Sequence, residues 1–547
     1  MIRNRIEEAL LAALNDLGVA PARLVVERPR SFMHGDYATN AALVAKVDAH
    51  KLVAKLKIEG IDNTEVVGKF INFFLSREAI VKEVEAAAKE ENWGTNGLYK
   101  GRKEMVEYTD PNPFKEFHIG HLMSNAIGES VSRLLELSGA EVKRANYQGD
   151  VGPHVAKAIW GKMQILDASW GKAYVYGNEQ YEVKKEEIDS INKKIYERSD
   201  EQVNKLYDEG RKVSLEHFED IYKTLGTKFD YYFFESETAP IGLQLVEKHP
   251  DIFEKSDEAV IFRGDLLLHT RVFVTSRGLP KYEAKELGLA KLKQEKYPAD
   301  EYVYITANEQ EGFFSVVFAV IKQIFRELDG RLTHRSHGMM RFAEGKMSSR
   351  KGNVITGESL LADLKEAAKE KMQGRELLDA DKVAEQVAVG AIKYAVLKQG
   401  SGKDIIFDPE KSLSLEGDSG PYVQYAHTRA LSLVREAEKA GIAAGVSEDS
   451  AAGQQEDASL SETPARSHLE RLLLHYPDVV ARAAQELEPH YVTTYITELA
   501  SAFNSWYASE RVIGGSNPHY GVLLAQAVEQ TLKKGLTALG IPAPEKM

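Results

Sequence analysis

His118 and His121 bracket Ile119-Gly120 where a strand should give way to a helix. Met105 to Tyr108 reads as a short buried strand and Asp110-Pro111-Asn112-Pro113 as a turn. Ile119, Leu122, Met123, Ala126, Ile127, Leu134 and Leu135 then recur at helical spacing until Gly139 stops the run. Both imidazoles are therefore expected at a first helical turn, where unpaired N–H groups and the positive end of the dipole favour phosphate. Gly120, having no Cβ, lets a base or ribose come close to the backbone. Far downstream, Glu344 to Asn353 forms a small polar stretch carrying Lys346, Arg350 and Lys351. Three cations on such a loop suit a polyphosphate passing through a transition state that gathers charge. Each stretch alone has a plain reading, a structural turn or a solvated basic loop. Together they point to an ATP site.

The elements that must position these groups follow from pattern. Val142 to Asn146 is a second strand, Tyr147 to Gly152 the loop above it, and Pro153 opens a helix. Strand–helix–strand with glycine turns implies a Rossmann-like parallel sheet with ligands at the strand ends. No Gly-x-Gly-x-x-Gly follows a strand and no Gly-Lys pair there precedes Ser or Thr, so dinucleotide and P-loop readings lose support. Within the expected 101–375 catalytic domain, an insertion spans about 163–300. It has charged helices to about 230, then a β-rich part with Ala259 to Phe262 and Arg271 to Val274. Phe229 to Glu235 and Tyr302 to Ile305 return to the sheet, and Lys281 to Glu286 opens a helix. Residues 1–100 read as an α/β module with strands at Arg23 to Glu27 and Phe70 to Leu75. Residues 376–547 read as an all-α bundle interrupted by a flexible connector at 443–467. The fold class is α/β with these two additions.

Composition narrows the chemistry. The chain of 547 residues has no cysteine, which removes disulfides, thiol catalysis and thiolate zinc sites, and fits a reducing cytoplasm. Its formal charge of −13 argues weakly against nucleic acid, yet local basic stripes decide phosphate contact in a large chain. Met1 to Ala20 lacks the pattern of a secretory signal, and no apolar run approaches the ~20 residues of a membrane helix, so no membrane partner is expected.

The motifs "TDPNPFKEFHIGHL", "YQGDVGPHV", "FFESE", "KYEAKELGLA", "KMSSRKG", "LSLEGDSGPYVQYAHTRA" and "LGIPAPEKM" together resemble the arginyl-tRNA synthetases, a class I family. "HGDYATN" and "GKFINFFLS" resemble that family's N-terminal module, which rests on the tRNA elbow. His34 and Asp36 themselves read as turn and capping residues. The resemblance implies ATP with Mg2+, L-arginine and tRNA(Arg) as ligands, a monomer, no protein-built metal site, and arginine activation that requires bound tRNA. It implies catalytic roles for His118, His121, Lys346, Lys115 and Lys351. ATP contacts are implied at Phe117, Gly120, His121, Gly338, Met347 and Ser348. Arginine contacts are implied at Asn112, Glu235, Tyr282, Glu286 and Gln310. Here Glu286 replaces the family's usual Asp, and Asp110 stands where many relatives have Ser. A planar guanidinium is best read by carboxylates in bidentate geometry, which suits Glu235 and Glu286. The plain alternative for either is an ion pair with a neighbouring Lys or Arg.

In the helical part, Tyr422, Tyr425 and Arg429 share one helix at spacings of three and four, with Trp506, Tyr507 and Arg511 as a second patch for unstacked bases. Tyr422 and Trp506 taken singly read equally as core. Lys393, Lys398 and Lys403 are further phosphate candidates. The competing functions are a class I synthetase for another amino acid, a small-molecule nucleotidyltransferase, and a non-catalytic RNA-binding paralogue.

Overall fold

A computed structural model of the chain describes residues 2–19, 24–29, 31–265, 267–343, 355–374, 378–445 and 464–547. It divides into two compact units, each assembled from separated stretches of sequence.

The first unit combines residues 1–95 with 425–480 and 495–535. Its sheet is antiparallel in the order β1-β2-β4-β3, formed by β1 (Val26–Glu27), β2 (Tyr37–Thr39), β3 (Ile61–Val67) and β4 (Phe70–Leu75). Buried charges fasten this module to the helices that belong to the same unit. Asp36 accepts from the Leu75 N–H and from Arg471 Nε, both at 2.8 Å. Arg77 grips Glu470 through its two terminal guanidinium nitrogens, and Tyr520 Oη donates to the same carboxylate at 2.7 Å.

The second unit holds residues 96–424, 481–494 and 536–547. Its centre is a five-stranded parallel sheet in the order β12-β11-β5-β6-β7. The strands are β5 (Lys103–Glu107), β6 (Glu141–Gln148), β7 (Tyr231–Phe234), β11 (Glu301–Ala307) and β12 (Leu332–His337). The inserted β-rich part is a small antiparallel sheet of β8 (Glu254–Ser256), β9 (Ala259–Phe262) and β10 (Arg271–Val274); β13 (Met340–Phe342) pairs in parallel with β14 (Ile405–Phe407). Glu235 lies outside the sheet, as the first residue of the helix Glu235–Lys248.

The break between residues 95 and 96 falls near the expected division at 100, while residues 376–424 and 536–547, expected with the helical part, belong to the second unit. The reason is visible at Lys393, which is wholly buried and donates from Nζ to Leu225 O at 2.7 Å and Gly540 O at 2.9 Å. Burial pulls its pKa down to about 7 against the opposing charge of Glu129. Ser130 Oγ and Arg133 donate to the carbonyls of Ala538 and Thr537, so the last residues of the chain pack on the helix Ile119–Leu137. Lys393 is a strut between elements and is unavailable to an external phosphate. Of the expected connector 443–467, residues 446–463 lie outside the described residues.

Two helices on the parallel sheet cross with almost no space between them. A Cβ on Gly242 would fall 1.9 Å from Ala284 O, and one on Gly288 would fall 2.2 Å from Thr238 O. Glycine is thus required for the helices Glu235–Lys248 and Tyr282–Lys296 to approach, and that approach decides which side chains face each other at their N-terminal ends. Gly242→Ala is expected to lower stability by about 1–3 kcal/mol through overpacking, read from urea denaturation. Gly97→Ala, with open space around the new methyl, is the matched control and should change little.

Candidate active site

Chain direction gathers the candidate residues along one edge of the parallel sheet. The His118 turn follows β5, Gly149 follows β6, Glu235 follows β7, Gln310 follows β11 and Gly338 follows β12. β5 lies between β6 and β11, so the chain leaves it on one side and later returns on the other. Open parallel sheets form their ligand crevice at such a switch point.

The turn from β5 is strained. Thr109, Asp110 and Phe114 have φ of 80°, 47° and 71°, at a cost of roughly 1–3 kcal/mol each. Three anchors from different elements hold it. The Thr109 N–H donates to Ser124 Oγ at 3.0 Å, Asp110 Oδ1 accepts from the Tyr147 N–H at 2.7 Å, and the Phe114 N–H donates to Ser214 Oγ at 2.9 Å.

The turn delivers His118 as the N-cap of the helix Ile119–Leu137. His118 Nδ1 accepts from the His121 N–H at 3.4 Å, and His121 Nδ1 accepts from the His118 N–H at 3.2 Å. The rings stack with centroids 3.4 Å apart. Because Nδ1 is the acceptor on both rings, this network assigns the proton to Nε2. Burial and then Lys115 hold the His118 pKa below its ordinary value; burial, then His118 and Lys115, hold His121 well below. At neutral pH the pair is uncharged, with two N–H donors on the ring sides away from the backbone bonds. Phe117 is fully buried with its ring 5.3 Å from that of His121, so its side chain backs the imidazole and offers a ligand no face.

Lys346, Met347, Ser348 and Lys351 lie outside the described residues. Just past them, Thr356 forms an antiparallel bridge with His118, and the Gly357 N–H donates to Phe117 O at 2.8 Å.

Beside the imidazoles, buried carboxylates outnumber buried cations. Glu235 is paired with Lys285 (Nζ to Oε2, 2.5 Å), each side chain only 6% exposed. Glu107 is paired with Lys293 at 2.7 Å, again fully inside. Glu286 and Asp110 make no ion pair among the described residues, and both have pKa values raised well above the carboxylate range, by burial first and then by the charge of Glu107. Asn112 joins this group: a Cβ on Gly149 would fall 2.2 Å from Asn112 Oδ1 and 3.3 Å from the Glu235 carboxyl carbon. Gly149 is therefore the floor on which Asn112 and Glu235 meet. Asp150 locks the next turn, accepting from the Ser236 N–H at 2.8 Å, Ser236 Oγ at 2.7 Å and Arg211 Nε at 3.0 Å. Lys115 links the two halves, since its charge bears on His118, His121 and Glu235 alike. The arrangement is a pair of neutral N–H donors next to a pocket lined by carboxyl groups, of which Glu235 and Glu107 are paired with lysines.

Family models match this architecture in three successive stretches. Residues 2–75 match the arginyl tRNA synthetase N terminal domain, 83–409 the catalytic domain of class I (R) tRNA synthetases, and 423–547 the DALR anticodon binding domain. The chain belongs to the arginyl-tRNA synthetase family. Curated relatives named arginine–tRNA ligase include one from Lactobacillus delbrueckii, 30% identical over 99% of both chains, and one from Clostridium perfringens, 29% identical over 100% of this chain and 99% of that one. The solved arginyl-tRNA synthetase of Thermus thermophilus superposes with a TM-score of 0.82 at 25% identity, each chain covered completely.

Among the other residues that family resemblance nominates, Tyr282 opens the helix Tyr282–Lys296 and is 56% exposed at the pocket's edge. Gln310 is exposed on the turn after β11. Gly338 needs a correction. The side where it lacks a Cβ is filled by the backbone of Lys403 and Asp404, 2.3–2.5 Å from where that atom would be, so it is glycine for packing rather than for nucleotide approach. Trp506 also needs one, being fully buried at 0% exposure with no face for a base. Arg429 lies 4.5 Å over the Tyr507 ring and donates to Asn504 at 3.1 Å; it, Tyr425 and Tyr422 are half-buried. Sequence reasoning missed Glu107, Gly149, Asp150, Lys285 and Lys293. Gly149 and Asp150 stood inside the quoted "YQGDVGPHV", and Lys285 inside "KYEAKELGLA", while nothing local marks Glu107 or Lys293.

Burial of neutral histidines gives the fold a pH limit. His154 in this unit and His475 in the other each have a pKa lowered to about 3 by burial. The unfolded chain takes up these protons near pH 6.5 and the folded chain does not, so stability is full above that pH and falls as pH drops through it. From pH 7 to pH 5 each histidine should remove about 2 kcal/mol. Urea midpoints at the two pH values measure this, and His475→Phe should recover about 2 kcal/mol of the loss, its own share.

Proposed function

We propose that the chain joins L-arginine to tRNA(Arg) in two steps at this edge of the sheet. A carboxylate oxygen of arginine attacks the α-phosphorus of ATP, the bond to the bridging oxygen breaks, and pyrophosphate leaves arginyl-adenylate. A terminal ribose hydroxyl of the tRNA then attacks the arginyl carbonyl and AMP departs. Such chemistry depends on positioning and charge stabilisation more than on a protein nucleophile. The neutral His118 and His121 donate Nε2–H bonds to the nucleotide, Lys115 adds a cation between nucleotide and amino acid, and Lys346 with Lys351 balances the departing pyrophosphate. The bridge between Thr356 and His118 supports placing the Lys346 stretch in the same site.

Asn112, Glu235, Glu286 and Tyr282 hold the arginine, with Gln310 at the rim. The observation that carries this reading is Glu286, buried beside Glu235 and in no ion pair among the described residues while Lys285 and Lys293 are taken by Glu235 and Glu107, a carboxyl that a guanidinium would pair and an apolar or acidic side chain would not. That also disfavours a class I enzyme for another amino acid. Among the described residues no group of three or more histidine, aspartate or glutamate side chains is arranged around one cation. Magnesium would enter with the nucleotide, and no step here runs through it. Tyr425 and Arg429 are offered for tRNA contact, and bound tRNA for arginine activation.

The experiment is ATP–pyrophosphate exchange with arginine, run with and without tRNA. Lys346→Ala should depress exchange by roughly 100-fold or more, the scale of losing one charge-stabilising contact, with an unchanged urea midpoint. Exchange equal to the unsubstituted protein would remove Lys346 from the mechanism. Exchange with another amino acid but not with arginine would overturn the reading.

A further inference from the structure

The two buried lysines of the pocket differ in their freedom to move. Lys293 is 1% exposed, pairs with Glu107 and sits 3.8 Å from the ring of Tyr304, itself 1% exposed, so nothing opens a way out. Lys285 lies on the first turn of its helix, and its Nζ is 5.2 Å from the ring of Tyr282, which is 56% exposed. Rotation of its long stem toward that ring would take the ammonium to solvent past a favourable aromatic face. It now occupies Glu235, a carboxylate assigned to the substrate guanidinium.

We propose that Lys285 is a built-in placeholder for the substrate's cationic end, neutralising Glu235 while the pocket is empty and yielding the carboxylate when arginine enters. The inference rests on the arginine reading of the pocket. An unpaired buried carboxylate is costly, so the empty site needs a resident cation. Arginine binding then exchanges one cation for another at Glu235. The exchange favours the incoming group only if that group makes bonds an ammonium cannot, which the planar fork does by taking both oxygens and by reaching Glu286, left without an ion pair by the resident lysine. A lysine substrate would exchange like for like at Glu235. The placeholder thereby sharpens the choice of guanidinium over ammonium.

Two substitutions test this in opposite directions, by ATP–pyrophosphate exchange with tRNA present. Lys285→Met keeps the stem and removes the competitor, so KM for arginine should fall by roughly tenfold, one charge-assisted bond no longer being displaced. Lys285→Arg supplies a stronger competitor and should raise KM for arginine by a similar factor. KM for ATP should stay put in both. Lys285→Met should also melt lower without arginine and gain more from added arginine than the unsubstituted protein does. A higher arginine KM in Lys285→Met, or the same KM in both variants, would overturn the placeholder and make Lys285 a prop for Glu235. If the unsubstituted protein shows no arginine-dependent exchange, the arginine reading itself falls, and the placeholder with it.

Discussion

Packing like charges together inside a protein is the constraint from which this site is built. Glu107, Asp110, Glu235 and Glu286 influence one another across the pocket while, among the described residues, Lys285 and Lys293 alone form ion pairs with members of the group. Left alone, such a cluster would relax apart or take up protons, the direction in which burial and the charge of Glu107 push Asp110 and Glu286. Rigid surroundings are needed to keep it. The glycine-mediated crossing at Gly242 and Gly288, the anchors on the strained turn, and the bonds from Ser236 of the Glu235 helix to Asp150 supply that rigidity. The arriving substrate cation then meets a field already arranged, which is the condition for strong electrostatic recognition in a water-poor site.

The nucleotide side follows a different logic. There the groups are neutral. Mutual capping of His118 and His121 fixes both tautomers and keeps both rings uncharged, so they act as directed donors. Positive charge comes instead from Lys115 and, as proposed, from the Lys346 stretch. In the proposed reaction, keeping directed neutral donors apart from the cations lets the site hold a polyphosphate without locking the product in place.

Much of this was legible in the sequence, for physical reasons. Helical spacing after Gly120 and the glycine turns announced the parallel sheet and the place where its crevice opens, and the sheet formed as expected. The paired histidine and lysine motifs announced the nucleotide. What was not legible depends on contacts between distant segments. Glu107 on β5 meets Lys293 on the helix Tyr282–Lys296, and no local pattern announces that meeting. Lys393 looked like a surface phosphate contact because lysine usually is one, yet its backbone acceptors come from residues 225 and 540. Gly338 and Trp506 show the same failure: a glycine or an aromatic at a suggestive position was claimed by packing.

The central claim is that the amino-acid pocket selects charge, and citrulline tests it most directly, having arginine's shape with a neutral urea in place of the guanidinium. Calorimetric titration of the protein, with a non-hydrolysable ATP analogue and tRNA present so that no turnover occurs, should give arginine an affinity at least roughly 100-fold above that of citrulline, since charge-assisted bonds to two carboxylates are lost together. Equal affinities for the two amino acids would contradict the account, because the pocket would then be reading shape and not charge.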